Sequence, residues 1–170
     1  PALLGLDMMD YTPSRTALGA SSSAVEKAIE FANKGGIVTF CWHWNAPTEY
    51  LNSTANSPDG WWGGFYTQSS KFDIAKVMNG QDAKGKKLLD RDIKEIAKQL
   101  KRLEKAGVPV IWRPLHEGSG GWFWWGAKGS DAYKKLWKYL YKELTNTYGC
   151  NNLIWVYNGQ SADWYPGDEY

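Results

Sequence analysis

Val108-Pro109-Val110-Ile111-Trp112-Arg113-Pro114-Leu115-His116-Glu117 passes from an apolar run through a proline to a carboxylate. The run from Val108 to Trp112 shows no clean alternation of apolar and polar residues. Such a run reads as a strand buried on both faces, the pattern of a parallel sheet. Pro114 has no N–H to give to a ladder, so regular pairing ends there. Glu117 therefore stands just past the C-terminal end of a strand. A helical stripe precedes the run: Leu89, Ile93, Ile96, Leu100 and Leu103, over roughly Leu88 to Lys105, stopped by Gly107. Another follows it: Tyr133, Trp137, Leu140 and Leu144, over roughly Ala132 to Thr147, with Asp131 as its expected cap and Gly149 as its end.

Working outward, three more runs read as strands: Leu3 to Met8, Ile37 to Cys41 and Leu153 to Tyr157. A third helical pattern covers roughly Ala24 to Asn33. Ser23 and Glu26 have the spacing of a capping box, and Gly35-Gly36 closes it. The order β-α-β-α-β-α-β implies parallel βαβ units. Two α/β architectures fit that order, a doubly wound open sheet and a (β/α)₈ TIM barrel. No Gly-rich phosphate loop follows the first strand, where Leu6-Asp7-Met8-Met9-Asp10 stands instead. The segments after the strands are long and aromatic, as in barrels, whose sites are built from βα loops. The barrel is preferred, and residues 1–170 read as part of one such domain. The chain supplies about four consecutive βα units of the eight a barrel needs; the missing half is a possible partner.

The charge is close to balanced, with 20 basic and 18 acidic residues. That excludes the strongly basic surface expected for nucleic-acid or membrane-surface binding. No apolar run approaches the ~18 residues of a membrane span. The Lys-rich face of Lys94, Lys98, Lys101 and Lys105 reads as solvated helix surface. Cys41 and Cys150 fall at opposite ends of the sheet layer and are expected to stay unpaired.

Aromatic residues reach 15%, including 11 Trp, too many for the core alone. Several lie in Gly-rich polar stretches: Trp61, Trp62, Trp122, Trp124, Trp125 and Trp164. Flat rings in loops suit the C–H faces of sugars. Glu117 is followed by Gly118-Ser119-Gly120-Gly121-Trp122-Phe123-Trp124-Trp125-Gly126. A carboxyl group walled by indoles loses hydration, which raises its pKa toward that of a general acid. Protonating a glycosidic oxygen requires such a group. The plainer alternatives are that Glu117 caps a turn or pairs with Arg113. His43 and His116 both follow strands and so share one face; sugar-hydroxyl bonding near Glu117 is preferred to a structural role or to metal binding. Trp44, in Phe40-Cys41-Trp42-His43-Trp44-Asn45, and Tyr157, before Asn158, are further candidate sugar contacts. For Asp7 and Asp10, turn or capping roles are preferred. There is no nucleophile elbow, P-loop, HExxH or CxxC, and neither a cofactor nor a metal is expected.

The run Trp112-Arg113-Pro114-Leu115-His116-Glu117 with Trp122-Phe123-Trp124-Trp125-Gly126 resembles glycoside hydrolase family 26, best known for β-mannanases. The likeness extends to Leu4-Gly5-Leu6-Asp7, to Cys41-Trp42-His43-Trp44, to Trp61-Trp62-Gly63-Gly64-Phe65-Tyr66 and to Trp164-Tyr165-Pro166-Gly167-Asp168, and so spans the chain. It implies a (β/α)₈ fold and retaining endo-hydrolysis of β-1,4-mannan, outside the cell, with mannan, glucomannan or galactomannan as the polysaccharide partner. It makes Glu117 the acid/base with His116 beside it, places His43, Trp62 and Trp122 against substrate, and makes the four strands barrel strands two to five. The nucleophile it implies is a second Glu at the end of strand seven, which this chain does not reach; Glu169 is a poor substitute. A β-1,3-1,4-glucanase of the same family is the alternative activity, and a non-catalytic carbohydrate-binding protein the alternative class. The isolated chain is expected to be inactive.

Overall fold

The computed structural model describes residues 2–52 and 60–159. Trp164, the Trp164–Asp168 motif and Glu169 lie outside the described residues. The four apolar runs form β1 (Leu3–Asp7), β2 (Ile37–Cys41), β3 (Val110–Arg113) and β4 (Leu153–Trp155). All neighbours are parallel, in the order β1-β2-β3-β4. Leu6 stands opposite Phe40, Phe40 opposite Trp112, and Trp112 opposite Trp155. A doubly wound sheet reverses its strand order at a switch point. Here every strand adds on the same side of the last, so the sheet grows in the manner of a barrel wall.

The helices are α1 (Pro13–Thr16), α2 (Ala24–Asn33), α3 (Ile74–Met78), α4 (Ala83–Lys105) and α5 (Gly129–Lys142), the last running into a π-helical turn at Glu143–Thr147. Alternation along the strands separates two faces. Val38, Phe40, Val110 and Trp112 point to the helices and are buried with Val25 and Ala28 of α2, Ile93, Ile96 and Leu100 of α4, and Leu136 and Leu140 of α5. The residues of opposite parity face the other way. Leu3, Ile37 and Ile154 there are 61%, 43% and 58% exposed. This is the inner face of the barrel wall.

Local signals account for most element ends, with corrections. The Ser23–Glu26 capping box does not form, since Ser23 makes no side-chain cap bond. The Tyr11 hydroxyl accepts from Val25 N at 3.0 Å instead, while Glu26 pairs with Arg102 of α4. α4 begins five residues before the expected Leu88, because Asp82 caps it by accepting from Gly85 N at 2.8 Å. α3 was not visible as a stripe; it is short and capped by Asp73. α5 starts at Gly129, so Asp131 lies inside its first turn rather than at its cap. Cys41 and Cys150 are both free.

Candidate active site

Three strand ends meet on one rim. Asp7, Cys41 and Arg113 are register neighbours at the ends of β1, β2 and β3, and His43 and Glu117 follow just beyond. Asp7 is the hub. Its Oδ1 accepts from Met9 N at 2.8 Å and His43 N at 3.1 Å. Its Oδ2 accepts from His43 Nδ1 at 2.5 Å and from the Cys41 thiol at 3.4 Å. Burial works against its charge, but the His43 hydrogen bond and charge outweigh it, so the carboxyl sits below its ordinary pKa. Burial, then the Asp7 charge, pushes the Cys41 thiol up to about 12.

His43 then meets His116, Nε2 to Nε2, at 3.2 Å. His116 is 4% exposed, and its Nδ1 finds no partner among the described residues. Burial, then the nearby His43, lowers its pKa to about 4, so it is neutral at ordinary pH. Both His43 nitrogens are engaged, and its ring lies among Phe65, Phe123 and His116. Neither histidine therefore offers a free exposed nitrogen to a sugar hydroxyl, the role expected of them. Asp7, for which turn or capping roles were preferred, does make the turn bond to Met9 N and in addition organises the histidines. Asp7, Cys41 and His43 bring an oxygen, a sulfur and a nitrogen within 4.8 Å of one another, but the thiol and the imidazole are both spent on hydrogen bonds to the carboxylate.

Glu117 is aimed by an unusual turn. Leu115 and Glu117 adopt left-handed backbone angles, with φ of 52° and 55°. For residues with a Cβ this costs about 1–2 kcal/mol each, so other contacts must impose it. Tyr133 donates to Leu115 O at 2.8 Å, Trp125 Nε1 to His116 O at 2.9 Å, and Glu117 N to Asn158 O at 2.9 Å. The loop beyond can close only on glycine: a Cβ on Gly126 would sit 2.0 Å from Gly118 O, and one on Gly118 2.4 Å from the Tyr133 ring. Trp122 Nε1 donates to Glu117 Oε2 at 2.8 Å. The indole nearest the carboxylate thus meets it through a hydrogen bond. Glu117 and the Trp122 ring are both half-buried. No ion pair joins Glu117 to Arg113, whose Nε donates to Thr39 at 3.3 Å.

The loop after β2 is tied to the loop after β3. Thr67 N donates to Trp122 O at 2.7 Å, and Trp124 N to Phe65 O at 3.2 Å. Its Trp61 and Trp62 are held by Arg15, a buried cation that sequence reading missed. Arg15 pairs with Asp10 at 2.8 Å, reaches Trp62 O at 2.5 Å and lies 5.1 Å from the Trp61 ring centre. Trp62 is left 48% exposed. Of the expected sugar contacts, Trp62, Trp122 and His43 are thus accessible near this rim.

Trp44 is not. It is 1% exposed, stacks on Trp42 at 3.9 Å and donates to Asp92 of α4 at 2.9 Å. Its parity turns it to the helices, and it belongs to the core. Trp124 and Trp125 are likewise buried. Tyr157 is exposed but shares the parity of Leu153 and Trp155, and its ring lies against Tyr133 and Trp137 of α5. It stands on the helix side of the wall and not over the inner face.

The family model for glycosyl hydrolase family 26 matches residues 1–170. A mannan endo-1,4-beta-mannosidase of Thermothelomyces thermophilus is 55% identical over 99% of this chain, and the chain covers 34% of it. A mannan endo-1,4-beta-mannosidase of Bacillus subtilis is 32% identical over 86% of the chain, with 43% of the relative covered. A crystal structure of a Podospora anserina β-(1,4)-mannanase superimposes with TM-score 0.89 at 55% identity, over 99% of this chain and 37% of that one. A β-mannanase from a termite-symbiotic protist, solved with a gluco-manno-oligosaccharide, gives 0.76 at 39% identity, covering 99% and 52%. The chain spans about a third of the length of the first of these relatives. On sequence and on structure alike, the chain belongs to glycoside hydrolase family 26, and its four strands are part of that family's (β/α)₈ barrel.

Proposed function

We propose that the protein is a retaining endo-β-1,4-mannanase in which Glu117 is the acid/base. The observation that carries this is the Glu117 carboxyl, held at the end of β3 on a strained turn with one oxygen bound to Trp122. An acid that must meet a glycosidic oxygen needs such fixed aim. Protonation by Glu117 lets the aglycone depart, and the same carboxylate then activates water. The nucleophile is a second carboxylate about 5–5.5 Å away. Among the described residues Asp7 stands on the same rim, but its oxygens are taken by four donors. The family resemblance implies a nucleophile on another barrel strand. Trp62, Trp122 and the ring of His43 present the aromatic surface for sugar. A polymeric substrate is met outside the cell, which is where the protein acts.

The test uses the full-length polypeptide with mannan, glucomannan and lichenan, and with an aryl β-manno-oligoside bearing a good leaving group. Glu117→Ala is expected to lower kcat/KM on mannan by about 10²–10⁴-fold. It should leave kcat/KM on the aryl substrate nearly unchanged, since that bond breaks without an acid. Wild-type hydrolysis of mannan by Glu117→Ala would overturn the assignment, and preference for lichenan would reassign the substrate.

A further inference from the structure

We propose that Asp7 is a positioning residue which sets the proton order of the His43–His116 pair and through it holds the Glu117 turn. The inference rests on the acid/base reading of Glu117. Asp7 Oδ1 is saturated by two backbone amides, so only Oδ2 faces the histidine. An ionised carboxylate only accepts. His43 Nδ1 therefore carries the proton in the 2.5 Å contact. In a neutral ring, Nε2 of His43 is then bare. The 3.2 Å contact between the two Nε2 atoms needs one proton, and His116 must supply it. That leaves His116 Nδ1 bare, which suits a buried nitrogen with no hydrogen-bond partner among the described residues. The chain of donation thus runs from His116 to His43 to Asp7, in one direction.

His116 sits between the two left-handed residues, Leu115 and Glu117. Its carbonyl is held by Trp125 and its ring by His43. Among the described residues the other hydrogen bonds on this turn come from Asn158 after β4, from α5 or from the Trp loop. The His43 contact is the hydrogen bond among the described residues that ties it to Asp7 of β1 and to the end of β2. Removing the acceptor at Asp7 therefore acts on Glu117 without touching it.

Asp7→Asn is the informative variant, because it is isosteric. Oδ1 can keep both backbone amides, while the new amide N–H faces His43 Nδ1. Only the reversed order is then compatible: His43 Nε2 donates to His116 Nε2, and a proton is forced onto the buried His116 Nδ1. The turn should relax and Glu117 lose its aim. A displacement on the order of 1 Å costs up to about 10²-fold in rate. In the full-length polypeptide, Asp7→Asn is expected to lower kcat/KM on mannan at least about tenfold. On the aryl substrate with a good leaving group the loss should be under about threefold, because that step needs little protonation. Nitrogen-15 NMR of the wild type should show His43 protonated at Nδ1 and His116 at Nε2, and of Asp7→Asn the reverse.

The opposite tautomers in the wild type would overturn the proposal even if the variant fails to fold. So would an equal loss on both substrates, which marks general structural damage, or no loss at all. Glu117→Ala, measured alongside, separates the two readings. If it lacks the leaving-group signature, the acid/base assignment fails; if it has the signature and Asp7→Asn does not, only the role of Asp7 fails.

Discussion

Leu115, His116 and Glu117 show how much of a site can rest on three consecutive residues. Glu117 was readable because a proline ends the strand before it and an indole-rich loop follows. The burial of His116 was not readable, since a histidine beside a strand end looks the same whether it faces sugar or core. Its role depends on Asp7 of β1 and on His43 just beyond β2, both far away in sequence. The pair also has a consequence for stability. His116 titrates near 4 in the folded chain against an ordinary 6.5. Above pH 6.5 both states are neutral, and the full stability is present. As pH falls from 6.5 to 4, the unfolded chain takes up a proton that the folded one refuses, and stability is lost. Melting temperature against pH, for wild type and His116→Gln in the full-length polypeptide, checks this. The decline between pH 6.5 and 4 should be shallower in the variant, and equal slopes would show that His116 is not held neutral by burial.

The elements divide by how local their causes are. Strands were placed to within a residue or two, because continuous apolar runs have one explanation in a parallel sheet. Helix stripes were equally plain, but their starts were not. Asp82 caps α4 ahead of a Lys-rich turn whose polarity hides the helix, and Tyr11 replaces the expected cap of α2 from a distant loop. The βα loops were the hardest to read, for Trp in a Gly-flanked stretch serves core and ligand alike. Trp44 and Trp62 make the contrast measurable. Trp44→Ala should destabilise the protein by about 3–5 kcal/mol, by emptying a core site and leaving Asp92 without its indole donor. Trp62→Ala should change stability by under about 0.5 kcal/mol. It should raise KM for mannan about tenfold, as expected from losing some 50–60 Å² of apolar contact with sugar. Chemical denaturation and steady-state kinetics on both variants decide it. A large stability loss in Trp62→Ala with unchanged KM would make that ring core instead.

At the scale of the molecule, continuous apolar runs separated by helices pointed to parallel pairing, whereas the barrel was favoured over the open sheet by its long aromatic loops and by the lack of a Gly-rich phosphate loop. The sequential strand order now carries that choice. It also leaves one face of the sheet without a counterpart among the described residues. Leu3, Ile37 and Ile154 stand exposed on the inner face, and Ala32, Gly36, Pro109 and Ile111 join two of them around an apolar hollow of about 310 Å³. In a closed barrel such side chains meet those of the opposite strands in packed layers. The unpaired ladder groups along β1 and β4 would likewise be taken by neighbouring strands. Residues 1–170 made alone should therefore associate or aggregate, and should not turn over mannan, since the one carboxylate aimed in this way among the described residues cannot complete a double displacement. Size-exclusion chromatography with a reducing-sugar assay tests both parts. Coexpression with the remaining strands of a family 26 barrel should restore a soluble species and activity together. A monomer of residues 1–170 that cleaves mannan through many turnovers would refute the argument, and would require a nucleophile among Asp7, Asp10 and Glu169.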